Sequence, residues 1–198
     1  MSRTRHLLIS AAAAAALLGV SAPALAQTPA AATAHAAHAE QKITEADVIA
    51  AQNAWGQALV QIATTYDNEG IAAAKRVAEG VIDQAYGYNL GPVLFKPTLA
   101  APPTTFRTTR DGALSYFVAG DPNYPGDTGF ALKGWRSYEI ENASILIEGD
   151  VALSMGNVRL TDSKGAITTV DKTWGYVRDD KGDLRIVLHH SSLPYSAN

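Results

Sequence analysis

The chain has 198 residues, with 16 basic and 19 acidic side chains, five histidines and no cysteine, for a formal charge of −3 at pH 7. Without cysteine there is no disulfide framework, no thiolate nucleophile or ligand, and no lipid-attachment thiol. The mild acidity and the absence of a basic stripe argue against a nucleic-acid partner.

Residues 1–26 read as a secretory signal peptide. Arg3 and Arg5 form a basic start, Leu7 to Val20 an apolar stretch, and Ala24-Leu25-Ala26 a small-x-small cleavage site before Gln27. The apolar stretch is short and alanine-rich and no stop-transfer segment follows, so no stable membrane anchor is expected. The mature protein is expected to be periplasmic or secreted. Removing Arg3 and Arg5 leaves 14 basic against 19 acidic side chains, a formal charge of −5. Residues 27–41 are alanine-rich and polar, with His35 and His38, and read as a flexible linker. The remainder, residues 42–198, is about 155 residues long and suits one domain with a single core.

Thr44 followed by Asp47 resembles a capping box, and Val48, Trp55, Leu59, Ile62 and Tyr66 follow at helical spacing. Asn68 and Gly70 break this first helix. Ile71, Val77, Ala78, Val81, Ile82 and Ala85 then suit a second amphipathic helix. Pro92, Pro97, Pro102 and Pro103 exclude long helices in the next stretch, where Val93–Lys96 and Thr104–Thr108 read as short edge or connecting strands. Asp111 could cap a short helix with Leu114, Phe117 and Val118 on one side. From Trp135 the texture is β: Arg136–Glu148, Val151–Thr161, Ile167–Arg178 and Leu184–Leu193 are separated by turn signals, which predicts an antiparallel meander. Helices followed by a meander predict an α+β fold, with a curled sheet packed on the helices around a conical pocket.

The last run, LRIVLHHSSLPY from Leu184 to Tyr195, holds both histidines of the domain. Strand alternation sends His189 and Ser191 to one face and His190 and Ser192 to the other. One polar pair must face inward, where it needs hydrogen-bond partners or a ligand. A three-histidine zinc site cannot be built in the domain, because its two histidines point to opposite faces. A site of one histidine with carboxylates is left open. His35 and His38 have a metal-compatible spacing but sit in the linker. No G-x-S-x-G elbow, phosphate loop or dinucleotide fingerprint occurs, and neighbours on one strand cannot give Ser191 or Ser192 a histidine base. Tyr86, Tyr88, Thr98, Thr104, Tyr116 and Tyr124 scatter hydroxyls through the irregular middle, and any one of them is more often a satisfied core or loop group than a catalyst.

Five segments together resemble a known family: AQNAWGQALVQIATTY (51–66), YGYNLGPVLFKPT (86–98), GALSYFVAGD (112–121), ALSMGN (152–157) and WGYVRDDKGDLRIVLHHSSLPYS (174–196). They are similar to the iota-class carbonic anhydrases, of the cyanobacterial and algal type that works without metal. The resemblance implies the cone-shaped α+β barrel of the nuclear-transport-factor-2-like (NTF2-like) superfamily, related to the association domain of calmodulin-dependent kinase II. It implies reversible hydration of CO2 to bicarbonate, no cofactor, and a homodimer. It places the site at the FKPT threonine, the ALSYF tyrosine and the first His and Ser of HHSS, here Thr98, Tyr116, His189 and Ser191, with Tyr88 and Phe95 as inferred wall residues. The resemblance selects the His189/Ser191 face as the cavity face. His189 is the natural proton acceptor by its ordinary pKa, and Tyr116 is the alternative. The competing readings are a non-catalytic NTF2-like oligomerisation or ligand-binding module, since one fold hosts many functions, and a cyclase-like lyase or isomerase, for which the expected Asp and His pair is not evident.

Overall fold

A computed structural model describes residues 42–197; the expected signal peptide and linker, with His35 and His38, lie outside the described residues. The first helix, α1 (Glu45–Glu69), starts at the expected capping box: the Asp47 amide donates to Thr44 Oγ1 at 3.2 Å and the Thr44 amide donates to Asp47 Oδ2 at 2.9 Å. Its buried stripe is Val48, Gln52, Trp55, Leu59 and Ile62, while Tyr66, expected on that stripe, is exposed. Gly70, at φ 81°, ends α1 and begins α2 (Ile71–Ala85). That left-handed backbone is open to glycine at little cost, and it lets two helices meet with no linker. The buried face of α2 is small, Ala74 and Ala78 with Ile82, which allows close approach to α1; Ile71 is exposed rather than buried.

Strand β1 (Leu94–Lys96) follows, but Thr104–Thr108, expected as a strand, is irregular. Pro102 and Pro103 offer no amide donors there, and the segment is tied to β1 by the Arg107 N–H to Phe95 O bond at 2.8 Å and further held by the Arg107 side chain. Helix α3 (Arg110–Val118) is capped by Thr109, whose Oγ1 accepts from the Gly112 amide at 3.2 Å, rather than by Asp111. A short 3₁₀ turn at Phe130–Leu132 leads into four long strands, β2 (Trp135–Glu148), β3 (Val151–Asp162), β4 (Ile167–Arg178) and β5 (Leu184–Ser192).

The strands form one sheet in the order β1-β5-β4-β3-β2. The antiparallel meander of β2 to β5 is as expected, but β1 pairs parallel with β5, so the sheet is mixed. It is also an open sheet rather than a closed barrel. Its inner face carries Ala152, Val158, Leu160, Val170, Trp174 and Ile186, all buried against α1, α2 and α3. Inside this core the Gln52 amide group is satisfied by Asn142 and Ser154 at 2.8 and 3.0 Å, tying α1 to the sheet.

The pairing of β4 with β5 contains a bulge: Gly175 opposes Leu188 and Tyr176 opposes Ile186, leaving Val187 as the extra residue. Ile186 and His189, three apart, therefore both point inward.

Candidate active site

His189 and Ser191 are each about 1% exposed, whereas His190 is exposed and Ser192 half-buried. The inward pair is thus His189 with Ser191. The parallel pairing of Phe95 with His189 and of Lys96 with His190 brings the chain after β1 alongside Ser191. Thr98 Oγ1 and Ser191 Oγ sit 2.5 Å apart and share a hydrogen bond, and Lys96 Nζ donates to Ser191 O at 3.0 Å. Phe95 stacks on the His189 ring at 4.5 Å and 15°, and meets the Tyr116 ring edge-on at 5.7 Å. Tyr116 also stacks on Phe130 at 5.5 Å. Thr98, Tyr116, His189, Ser191 and Phe95 therefore form one contiguous cluster.

Tyr88 is placed differently. Its ring stacks on Tyr86 at 6.0 Å, and its hydroxyl donates to Arg107 O at 2.9 Å, so it braces the loop instead of presenting a free hydroxyl. That loop is further clamped by a buried ion pair, Arg107 Nη2 to Asp127 Oδ1 at 2.6 Å, with Ser115 Oγ donating to Asp127 Oδ2 at 2.7 Å. The Arg107 guanidinium also lies 4.3 Å from the Tyr124 ring centre.

The Tyr116 hydroxyl is buried and closes no hydrogen bond of proper geometry, although Thr98 and the Leu99 backbone lie beside it. Burial pushes its phenol pKa up, with those neighbours offsetting only part of the effect, so Tyr116 stays protonated and offers a proton-bearing donor. Acceptance of a proton by a tyrosinate at this position, the alternative drawn from sequence, is disfavoured by the same burial.

His189 has both ring nitrogens engaged: Nδ1 lies 2.9 Å from Tyr86 Oη and Nε2 lies 2.6 Å from Lys172 Nζ. Burial holds its pKa well below the ordinary imidazole value, with the Lys172 and His190 charges adding to the effect. Tyr86 is delivered to this point by its position just after α2, where it bridges to Ile186 and the Gly87 amide donates to Ile186 O at 2.9 Å. Its oxygen also accepts from Trp55 Nε1 at 3.1 Å.

Lys172 was not singled out from sequence. It is cross-strand partner to Ser191 and buried beside two tryptophans, with Nζ 4.3 Å from the Trp55 ring centre and 5.6 Å from that of Trp174. The signal was the alternation Val170, Lys172, Trp174, Tyr176, which puts a lysine at an inward register. Among the described residues no group of three His, Cys, Asp or Glu side chains could hold a metal ion. A groove of about 710 Å³ runs past Gln57, Gln61, Thr64, Arg136 and Tyr138, away from this cluster, and gathers no comparable buried titratable groups.

A family model described as metal-independent carbonic anhydrase matches residues 46–193. A metal-independent carbonic anhydrase of Nostoc sp. strain PCC 7120 is 64% identical over 153 residues, spanning 77% of this chain and 75% of that protein. The crystal structure of a cyanobacterial iota-carbonic anhydrase complexed with bicarbonate superposes with a TM-score of 0.78 at 63% identity, covering 79% of this chain and 95% of that one. A Xanthomonas campestris chain described as a calcium/calmodulin-dependent protein kinase II association domain shares the fold alone, with a TM-score of 0.51 at 22% identity over 81% of this chain and 99% of that one. The α+β fold, helices packed on an open five-stranded sheet, is the one shared with the cyanobacterial enzyme. The chain belongs to the metal-independent carbonic anhydrases of the iota class.

Proposed function

We propose that the Thr98, Tyr116 and Ser191 hydroxyls form the pocket in which this carbonic anhydrase interconverts CO2 and bicarbonate. The observation that carries the reading is the buried, unpartnered Tyr116 hydroxyl beside the Thr98–Ser191 pair. Such a group normally costs about 1–3 kcal/mol, and a bicarbonate oxygen is a partner it could take. CO2 is apolar and its hydration product an anion, so the pocket needs apolar walls with donors placed where charge develops. Phe95, Phe117 and Phe130 supply the walls. Thr98 and Ser191 can each donate and accept, and so can hold the attacking water while Tyr116 donates to the oxygen that becomes anionic.

Without a metal to acidify it, the water must lose its proton to a base as it attacks. Within the cluster the neutral His189 imidazole is the group suited to that role. The family relation, including the bicarbonate bound by the cyanobacterial homologue, supports the reaction.

The reading extends to the assembly and the compartment. The sequence of residues 1–26 supports export to the periplasm or beyond. Association as a homodimer through the outer sheet face is supported by an in-register apolar row, Leu94, Leu188, Gly175, Leu153 and Leu146, which crosses all five strands with the first and last two leucines exposed.

The test of the site is a set of stopped-flow CO2 hydration assays on Thr98→Ala, Ser191→Ala and Tyr116→Phe. Each is expected to lose activity by about 10-fold or more. Tyr116→Phe should do so with an unchanged or higher melting temperature, because the hydroxyl it removes satisfies nothing in the protein. Full activity in all three would remove this site.

A further inference from the structure

Both nitrogens of His189 are occupied by protein groups, so the imidazole cannot bond directly to water in the pocket while these contacts hold. The donors in this buried chain have a definite order. Trp55 Nε1–H can only donate, so the Tyr86 oxygen accepts from it. The Trp55, Tyr86 and His189 hydrogens are then all satisfied in one arrangement: Tyr86 O–H donates to His189 Nδ1, and His189 Nε2–H donates to the lone pair of Lys172 Nζ, whose own hydrogens face the Trp55 and Trp174 rings. In the opposite arrangement Lys172 donates to Nε2, His189 Nδ1–H donates to Tyr86, and the Tyr86 proton is left without a partner.

We propose that Lys172 is the proton-holding end of a Tyr86–His189–Lys172 relay, a positioning residue that lets His189 take the proton released in CO2 hydration. The proposal rests on the reading of the pocket given above. Among the described residues no carboxylate pairs with Lys172; His189 on β5 is its hydrogen-bond partner, and Trp55 on α1 and Trp174 on β4 are its ring contacts. The other titratable groups around the relay are Tyr88, Tyr116 and Tyr176, which bear on Tyr86, and His190, which bears on His189 from the outer face. Burial without a counter-ion holds the Lys172 amine well below its ordinary pKa, in keeping with a lone pair available to Nε2–H.

The step balances. Water oxygen bonds to the CO2 carbon as one of its O–H bonds breaks, and that proton passes to Tyr86 Oη, whose ring lies 6.0 Å from that of Phe95. The Tyr86 proton passes to His189 Nδ1, and the Nε2 proton passes to Lys172 Nζ, whose lone pair becomes the new N–H bond. The products are bicarbonate and an ammonium group facing the Trp55 ring, where a cation is favoured over the ring face. Return of that proton to solvent resets the chain.

Two measurements decide the proposal. In the ¹⁵N-labelled wild-type protein at pH 7, the His189 ring is expected to carry its proton on Nε2 and not on Nδ1. Lys172→Met, which keeps the apolar stem against Trp55 and Trp174, is expected to lower kcat about 100-fold at unchanged KM, with imidazole buffer restoring most of the rate. A His189 proton on Nδ1, or an imidazolium, would overturn the wiring, and that result needs no variant to fold. Wild-type kcat and pH profile in Lys172→Met would overturn the role, as would a loss that imidazole does not rescue. If the wild-type protein hydrated no CO2, the reading of the pocket would fail, while the ring-nitrogen measurement would still decide the wiring.

Discussion

His189 and Lys172 occupy the fold as a neighbouring pair of bases with depressed pKa values, both driven first by burial. The unfolded chain releases them to water, where their ordinary values are 6.5 and 10.5, so over the window below each value the unfolded state binds more protons. Stability therefore rises with pH, by about 1.4 kcal/mol per unit for each group within its own window. Above pH 7 the Lys172 window remains open while that of His189 has closed. Calorimetry from pH 7 to 9 is expected to show a rising melting temperature in the wild type and a flatter profile in Lys172→Met; a flat wild-type profile would show that Lys172 is charged in the fold. At this scale the sequence was informative about His189 and Ser191 and silent about Lys172. Two adjacent histidines in one strand announce a polar inward position by parity alone. A lone lysine in a β-rich run looks like a solvated edge until the strand register is known, and the register depends on long-range pairing.

The elements explain why parity by itself left two faces open. Counted from Ile186 with strict alternation, His190 would point inward; the bulge at Val187 resets the count and turns His189 in. The capping box, the glycine break and the meander were legible because each is a local signal with a local cause. The parallel β1–β5 pairing was not, since it joins segments about ninety residues apart and depends on the loop that follows. That loop carries Thr98, and its other end is fixed by Arg107 and Asp127. Removing one partner of a buried ion pair leaves the other charge uncompensated, at a cost of about 3–5 kcal/mol. Asp127→Ala is therefore expected to lower the urea midpoint strongly and to reduce CO2 hydration by loosening Thr98. A midpoint equal to that of the wild type would show that the pair does not hold the loop.

At the scale of the whole molecule, one face of the sheet carries the proposed site and the other an apolar row facing outward. The inner face needed helices to cover it, and α1, α2 and α3 do so. On the outer face Leu94, Leu146, Leu153 and Met155 are exposed together, which is the surface the proposed homodimer would bury. Leu153→Glu should shift the protein to a monomer in sedimentation velocity with its helical signal intact; a wild-type monomer at the same concentration would rule out the dimer.

In the proposed mechanism this fold hydrates CO2 with hydroxyls and a buried base instead of a metal. The most direct measurement is stopped-flow CO2 hydration by the purified protein before and after exhaustive chelation, with residual metal measured on the same sample. Equal rates are expected, both above the buffer blank, at metal contents far below one ion per chain. Loss of activity on chelation that returns with added metal would contradict this mechanism.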